Sequence, residues 1–529
     1  MRREHLIAVF AVVALAALLR LPNLGYDSLG HDEAFRANWS HHGSLAEARR
    51  LPPLTLLLLR TVQRQVGRSE VVLRLPFALA GIACVLVLYG FARRHLDQGA
   101  AVLIACVAAC HPVLVLYSRM VKVFSLEALG CAVVLWAGLE AYRKRTGRQL
   151  IAFTALALVA MGCTFTGSLV VAAWMPLLGW ACLRRERGVP GPRWGFVGSA
   201  CVLSVAAWGC YVWLAGMPLR ESVITYFAAV EHVWPTAYTP SALGVWLVVS
   251  VQGAGQYVLG ITHDWPPLSW CVATLELLAI AASIGVVWRR CRPLCVVVMI
   301  LAVEVVLAGA LCMWPLGKVR TMTYSVPIVA IGVGCGLWRL VRALGWSCAT
   351  VGLLGVCIGL PAARAVESTI ISPRVYEHMR PVMAHIRSNL QPGDAIFVYY
   401  GAASAFEYYA DLDTYLWLAD DESEKRFVRL RWQDVDVPVQ VEPWSDRQHP
   451  AAFAERFDAW VARHPRVWFL MAHSWKHEQE EWVRYLEDTY SVLDMFQTAD
   501  ASAHLLARPD GPGSRTGDTA GPGGAAAGQ

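Results

Sequence analysis

Apolar runs long enough to cross a lipid bilayer recur through the first 364 residues, and nothing constrains the fold of this chain more. A span takes about 20 predominantly apolar residues. Runs of that kind fall near 6–22, 75–92, 99–117, 124–141, 149–165, 167–183, 195–214, 268–288, 294–313, 323–341 and 346–364. The expectation is a multi-pass α-helical membrane protein of about 11 spans. Composition agrees, since only 16% of the 529 residues are charged and 56% are hydrophobic, where soluble domains carry roughly a quarter charged residues. The stretch 242–261, apolar but holding Gln252 and Gln256, reads as a helix in the outer interface.

Orientation follows from the basic residues. With the N-terminus inside, the inner loops hold Arg93-Arg94, Arg143-Lys144-Arg145, Arg184-Arg185, Arg289-Arg290 with Arg292, and Arg339 with Arg342, as the positive-inside rule requires. The net charge of +6 is thus loop arginine rather than a nucleic-acid surface. The first run follows Arg2-Arg3 without a small-x-small cleavage site, so it reads as an uncleaved span. All 15 cysteines lie between Cys84 and Cys357, where they serve as small apolar packing rather than as disulfides of an outer domain.

From about 365 the charges and aromatics rise and no run is long enough to span. A helix over 375–390, a turn at Gln391-Pro392-Gly393-Asp394, strands at 395–400 and 466–471, and a helix at 478–490 predict a small extracytoplasmic α/β domain over 365–508. The expected division is a membrane domain, 1–364, with a long first outer loop at 23–74; the α/β domain; and a disordered Gly-, Ala- and Pro-rich tail, 509–529.

The first outer loop holds the adjacent acids Asp32 and Glu33 after His31. Carboxylates beside a membrane exit can take a proton or hold a polar substrate; the structural alternative is that they favour the N-terminus of the next helix. Outer span ends also carry Tyr117-Ser118-Arg119 with Lys122, and Lys318 with Arg320. Basic groups there oppose the positive-inside bias and suit a phosphate, or snorkel to lipid headgroups. Arg74 is read as pairing with Glu70 one turn earlier, and His31, Arg74 and Tyr117 are secondary candidates for substrate contact. Glu127 and Glu304 lie in or near spans, where ionisable groups are paired or functional. His232 and His263-Asp264 are too scattered to make a metal site, so none is expected.

The order of these features resembles the GT-C glycosyltransferases, in particular bacterial relatives of protein O-mannosyltransferases and of the lipid A aminoarabinose transferase. The resemblance rests on Asp32-Glu33-Ala34, Leu51-Pro52-Pro53-Leu54, Gly67-x-Ser69-Glu70-x-x-x-Arg74-Leu75-Pro76, Tyr117-Ser118-Arg119, the 391–394 turn and Glu407-Tyr408-Tyr409. Leu51 stands where that family usually has His before Pro-Pro. The resemblance implies a membrane-embedded transferase in the bacterial plasma membrane. Asp32 would be its catalytic base, with Glu33 the neighbouring acid, and Arg119, Lys122, Arg320 and Lys318 would bind the donor phosphate. It further implies a polyprenyl-phosphate-linked sugar as donor and an acceptor that is protein, glycan or lipid; it names no certain cofactor, and no nucleic-acid partner is expected. Divalent metal dependence stays open. The competing readings are a polytopic transporter or flippase of a lipid-linked substrate, and a membrane-anchored sensor whose outer domain binds a partner.

Overall fold

The computed structural model describes residues 3–42, 51–183, 193–215, 238–259, 266–312, 314–317, 320–411, 427–432, 435–442, 450–474 and 478–508. Lys318, His232, His263-Asp264 and the tail 509–529 lie outside them. The chain divides into two compact units: residues 1–24, 49–67 and 71–373, and residues 25–48, 68–70 and 374–529.

The first unit is helical: α1 (Arg3–Leu18), α3 (Pro53–Gln65), most of α4 (Glu70–His95), α5 (Gln98–Cys110), α6 (Pro112–Ser118), α7 (Phe124–Lys144), α8 (Gly147–Cys163), α9 (Gly167–Leu183) and α10 (Arg193–Ala215), followed by helices at Pro240–Val258, Pro266–Ala310, Val326–Leu344 and Cys348–Ile371. Among the described residues, five helices are long and apolar enough to cross a membrane: Glu70–His95, Phe124–Lys144, Trp270–Ala310, Arg320–Leu344 and Cys348–Ile371. The α5–α6 pair makes a sixth, bent by 57°. Other apolar helices, such as Gly147–Cys163, are shorter.

The bend at α5–α6 is a difference from the straight span expected over 99–117. Pro112 lacks an N–H and drives the preceding His111 out of the helical region, to ψ 120°. The Pro266–Ala310 helix is about 68 Å long at 1.5 Å per residue, more than twice a bilayer core. It is broken at Cys291 (φ −137°, ψ 45°), inside the basic segment expected to join two spans.

Small residues let these helices close. A Cβ on Gly336 would lie 1.8 Å from the Ala279 carbonyl oxygen, and one on Gly334 2.6 Å from the Ile104 backbone. Basic residues collect at one end of the unit. Glu140 pairs with Arg94 (2.5 Å) and Lys144 (2.8 Å) and lies 3.1 Å from His95 Nε2, while Arg290 reaches Asp97 (2.9 Å) and the Leu96 carbonyl (2.8 Å).

The second unit is built on a six-stranded sheet in the order β2-β3-β1-β4-β6-β5. Its strands are β1 (Asp394–Val398), β2 (Phe427–Trp432), β3 (Val435–Val441), β4 (Arg466–Ala472), β5 (Ser491–Thr498) and β6 (Ala501–Ala507). β1 runs parallel to β3 and β4, and the outer pairs are antiparallel. On one face Phe397, Phe453, Phe457, Phe469 and Trp482 form the core with the Pro450–Val461 and Glu478–Thr489 helices. Trp468, one residue out of phase on β4, meets His385 of the Met379–Asn389 helix on the other. α2 (His31–His42) packs on the Ala403–Ala410 helix of this same unit.

Candidate active site

Helix α2 begins at His31, with Asp32 and Glu33 in its first turn and His41 and His42 in its last. That charge order suits the helix dipole, so the helix-favouring role expected for the acids is met. The helix does not begin at random, however. Leu29 donates its N–H to the Tyr409 hydroxyl (2.7 Å), and His31 donates its N–H to Glu377 Oε2 (2.5 Å) and Nδ1–H to the Gly401 carbonyl (2.9 Å). A Cβ on Gly30 would press on the Glu377 carboxylate at 3.0 Å. Asp32 is half-buried beside these contacts, Glu33 is buried, and Arg36 returns to the Asp32 carbonyl (2.6 Å).

The contact falls at the carboxyl ends of β1 and β4. After β1 the chain builds β2 and β3 on one side of it and then crosses to β4 on the other, which makes this edge the switch point where open α/β sheets bind ligands. Gly401 is needed there, since a Cβ would lie 2.4 Å from the Ala472 carbonyl oxygen. Past β4, His473 (φ 53°) adopts a left-handed backbone, as does Asp500 (φ 44°) in the β5–β6 turn, a strained conformation found at functional sites.

His473 Nδ1 donates to Glu377 Oε1 at 2.5 Å, and its ring stacks on His31 with centroids 4.9 Å apart. Asp500 Oδ1 accepts from Ser474 Oγ (2.7 Å). Burial holds the His31 imidazole down at about 4, aided by His473, so it is neutral at pH 7. Its Nδ1 carries the proton that faces a carbonyl, leaving Nε2 as an acceptor. Burial also pulls on His473, but the hydrogen bond and charge of Glu377, with Asp32 and Asp500 nearby, raise its pKa. Glu377 is lowered: the His473 and His31 bonds outweigh its burial. Glu377, His473 and Asp500 offer three metal-ligand atoms within 4.8 Å of one another.

The Glu407-Tyr408-Tyr409 motif proves to be docking hardware. Tyr408 donates to the Arg68 carbonyl, Tyr409 to Glu70 Oε1 (3.0 Å), and Arg68 pairs with Asp411 (2.9 Å). Glu70 also takes Arg380 (2.9 Å), not Arg74 as the spacing suggests. Arg74 instead donates to the Leu24 carbonyl (3.0 Å), because the first turn of α4 presents the two side chains to different neighbours.

In the first unit, Arg119 donates to the carbonyls of Arg20 (3.0 Å), Pro22 (2.7 Å) and Asn23 (3.2 Å), holding the turn after α1. Lys122 and Arg320 are half-buried. Tyr117 packs edge-on against Phe124 (4.7 Å), and Glu127 is buried. A separate groove of about 640 Å³, lined by Arg429, Arg456, Trp460 and Arg463 among others, contains none of the residues singled out in the sequence. Glu377, His473 and Asp500 were invisible there as a set, being scattered over 124 positions; the one local signal was His473 standing directly after an apolar strand.

Residues 50–211 match a family model described as dolichyl-phosphate-mannose-protein mannosyltransferase. No curated protein matches the chain. In fold the chain is similar to ArnT from Cupriavidus metallidurans bound to undecaprenyl phosphate, with TM-score 0.52 and 13% identity over 94% of this chain and 97% of that one. It is similar also to the archaeal oligosaccharyltransferase AglB from Archaeoglobus fulgidus in complex with an inhibitory peptide and a dolichol-phosphate, with TM-score 0.51 and 14% identity over 96% of this chain and 75% of that one. It spans 63% of the Archaeoglobus fulgidus oligosaccharyltransferase tethered with an acceptor peptide, at TM-score 0.48 and 14% identity over 77% of this chain. The resemblance drawn from the sequence therefore holds in the family model and in the fold.

Proposed function

We propose that the chain is a glycosyltransferase of the GT-C kind, which the family-model match over 50–211 and the shared fold support, and that it moves a sugar from a polyprenyl-phosphate carrier to an acceptor hydroxyl at the outer face of a bacterial plasma membrane, with Asp32 as general base. The observation that carries this reading is the docking of the His31–Asp32 turn by Glu377 and Gly401 at the carboxyl edge of the sheet. A half-buried carboxylate at a helix start fixed by two backbone-directed bonds is preorganised, which is what a base needs.

In this mechanism Asp32 takes the hydroxyl proton as the acceptor oxygen bonds to the anomeric carbon. The bond from that carbon to the phosphate oxygen breaks, and its electron pair leaves with the lipid phosphate. Lys122 and Arg320, with Lys318, hold the negative charge that develops there, while Arg119 holds the turn after α1. The gathering of basic residues at the Glu140 end of the first unit supports an inside-positive orientation with 93–97 and 140–145 cytoplasmic. The domain reading is a membrane part over 1–364 and an extracytoplasmic part over 365–508.

The test is mass spectrometry of envelope glycans, lipids and glycoproteins from cells with wild type, no protein, or Asp32→Asn. Loss of one sugar modification in both the deletion and the mutant supports transfer at Asp32 and identifies the acceptor. Loss in the deletion alone removes Asp32 from the role. Movement of a lipid-linked sugar without any covalent product would make the protein a transporter.

A further inference from the structure

The second unit contains a convergence of side chains around Glu377 that goes beyond its hold on the Asp32 turn. Glu377 lies just ahead of the Met379–Asn389 helix, His473 follows β4, and Asp500 sits in the β5–β6 turn. These three segments, far apart in sequence, place one imidazole nitrogen and two carboxylates within 4.8 Å of one another. We propose that Glu377, His473 and Asp500 bind a divalent transition cation, Zn²⁺ or Mn²⁺.

The donor set is the first argument. One imidazole and two carboxylates suit these borderline ions, whereas Ca²⁺ and Mg²⁺ prefer oxygen alone. Access is the second: the His473 side chain is 34% exposed and that of Glu377 12%, so water reaches the cluster while most of its surface stays walled. Fixation is the third. His473 and Asp500 hold left-handed backbones at φ 53° and 44°, and Ser474 Oγ donates to Asp500 Oδ1 at 2.7 Å, the kind of outer bond that orients a ligating carboxylate.

Binding has a defined chemical balance. His473 Nδ1 gives up the proton it now donates to Glu377, and that proton leaves to solvent. The 2.5 Å His473–Glu377 contact opens to about 3.3 Å, the separation of two ligands about 2.05 Å from one tetrahedral ion. Glu377 Oε2 keeps its bond to the His31 N–H. The ion thereby becomes an anchor for the turn that carries Asp32, a positioning role rather than a catalytic one.

The experiment uses the full chain in detergent, stripped with a chelator and dialysed against micromolar Zn²⁺ or Mn²⁺. Bound metal is read by inductively coupled plasma mass spectrometry and affinity by competition with a chromophoric chelator. One ion per chain is expected, with a rise in the thermal midpoint. His473→Gln keeps an N–H donor for Glu377 but offers no imidazole, and Asp500→Asn keeps the Ser474 bond; each weakens binding by more than about tenfold. Absence of bound metal in the wild type overturns the proposal, leaving a plain His–Glu ion pair. So does equal binding by both variants when their chelator-treated midpoints match the wild type. Because metal is counted directly, this outcome is independent of whether Asp32→Asn loses transfer.

Discussion

Glu377 donates nothing and accepts from His31 at 2.5 Å, so the start of the helix that carries Asp32 is set by a carboxylate 346 residues further along the chain. The same side chain takes the His473 ring on its other oxygen. One carboxylate thus fixes both the backbone of the turn that carries Asp32 and the imidazole stacked over it, and several expected outcomes follow from that arrangement.

Replacing Asp32 with Asn keeps size and polarity but removes the base. Turnover falls by roughly 10²–10⁴-fold, the usual worth of general-base help, while donor binding stays near normal. Purified protein assayed with a lipid-linked sugar donor checks this, and near-normal turnover would discard the assignment.

Glu377→Ala removes the carboxylate that accepts from the His31 N–H and the His473 ring. The second unit loses about 1–3 kcal/mol, read as a lower thermal midpoint and faster proteolysis of the 374–508 segment. Activity falls with it, because the Asp32 turn is no longer held. A stable but inactive variant would mean that Glu377 contacts substrate itself.

Lys122→Ala and Arg119→Ala separate two roles for outer basic residues. Lys122→Ala raises the donor KM by about 10–100-fold, since a charge-assisted bond is worth roughly 1.5–3 kcal/mol, with the thermal midpoint unchanged. Arg119→Ala instead lowers the midpoint, because the carbonyls of Arg20, Pro22 and Asn23 lose their donor. The opposite split would exchange the two assignments.

His504 lies in β6 with 1% exposure, and burial holds its imidazole at about 4 rather than 6.5. A base whose folded pKa is depressed costs stability once the unfolded chain can bind its proton. The contribution is intact above about 6.5 and is lost progressively as pH falls toward 4. His504→Gln removes that titration, so its midpoint drops less between pH 7 and pH 5 than the wild type's. Equal slopes would exclude His504 as a source of acid lability.

Gly336→Ala forces a methyl into the Ala279 carbonyl and separates the Val326–Leu344 helix from its neighbour. The yield of folded protein in detergent collapses. Gly352→Ala, with nothing within 4 Å of its new Cβ, is tolerated. Size-exclusion profiles of the two variants make the comparison.

The sequence displayed what repeats and hid what converges. Long apolar runs and clustered arginines were legible because each is a local pattern, and the strands at 394–398 and 466–472 were legible because buried parallel strands read as continuous apolar runs. β5 was not, since Ser491–Thr498 is an exposed sheet edge of mixed polarity. The bend at His111-Pro112 was signalled by proline, yet hydropathy alone joined α5 and α6 into one straight span. Asp32 stood out beside the membrane, but its supports did not. Glu377, Tyr409, Gly401 and His473 acquire meaning only through the crossover connections that bring β1 and β4 together, and no window along the chain contains them with Asp32.

The dependence of His31 on Glu377 also imposes an order on biosynthesis. Ribosomes add roughly 5–20 residues per second, so the turn bearing Asp32 is made about 17–70 s before the carboxylate that will seat it, 346 positions later. Through that interval the apolar helices of the first unit are being made while the acidic turn lacks Glu377. The Asp32 turn therefore reaches its final setting only when the last third of the chain has folded.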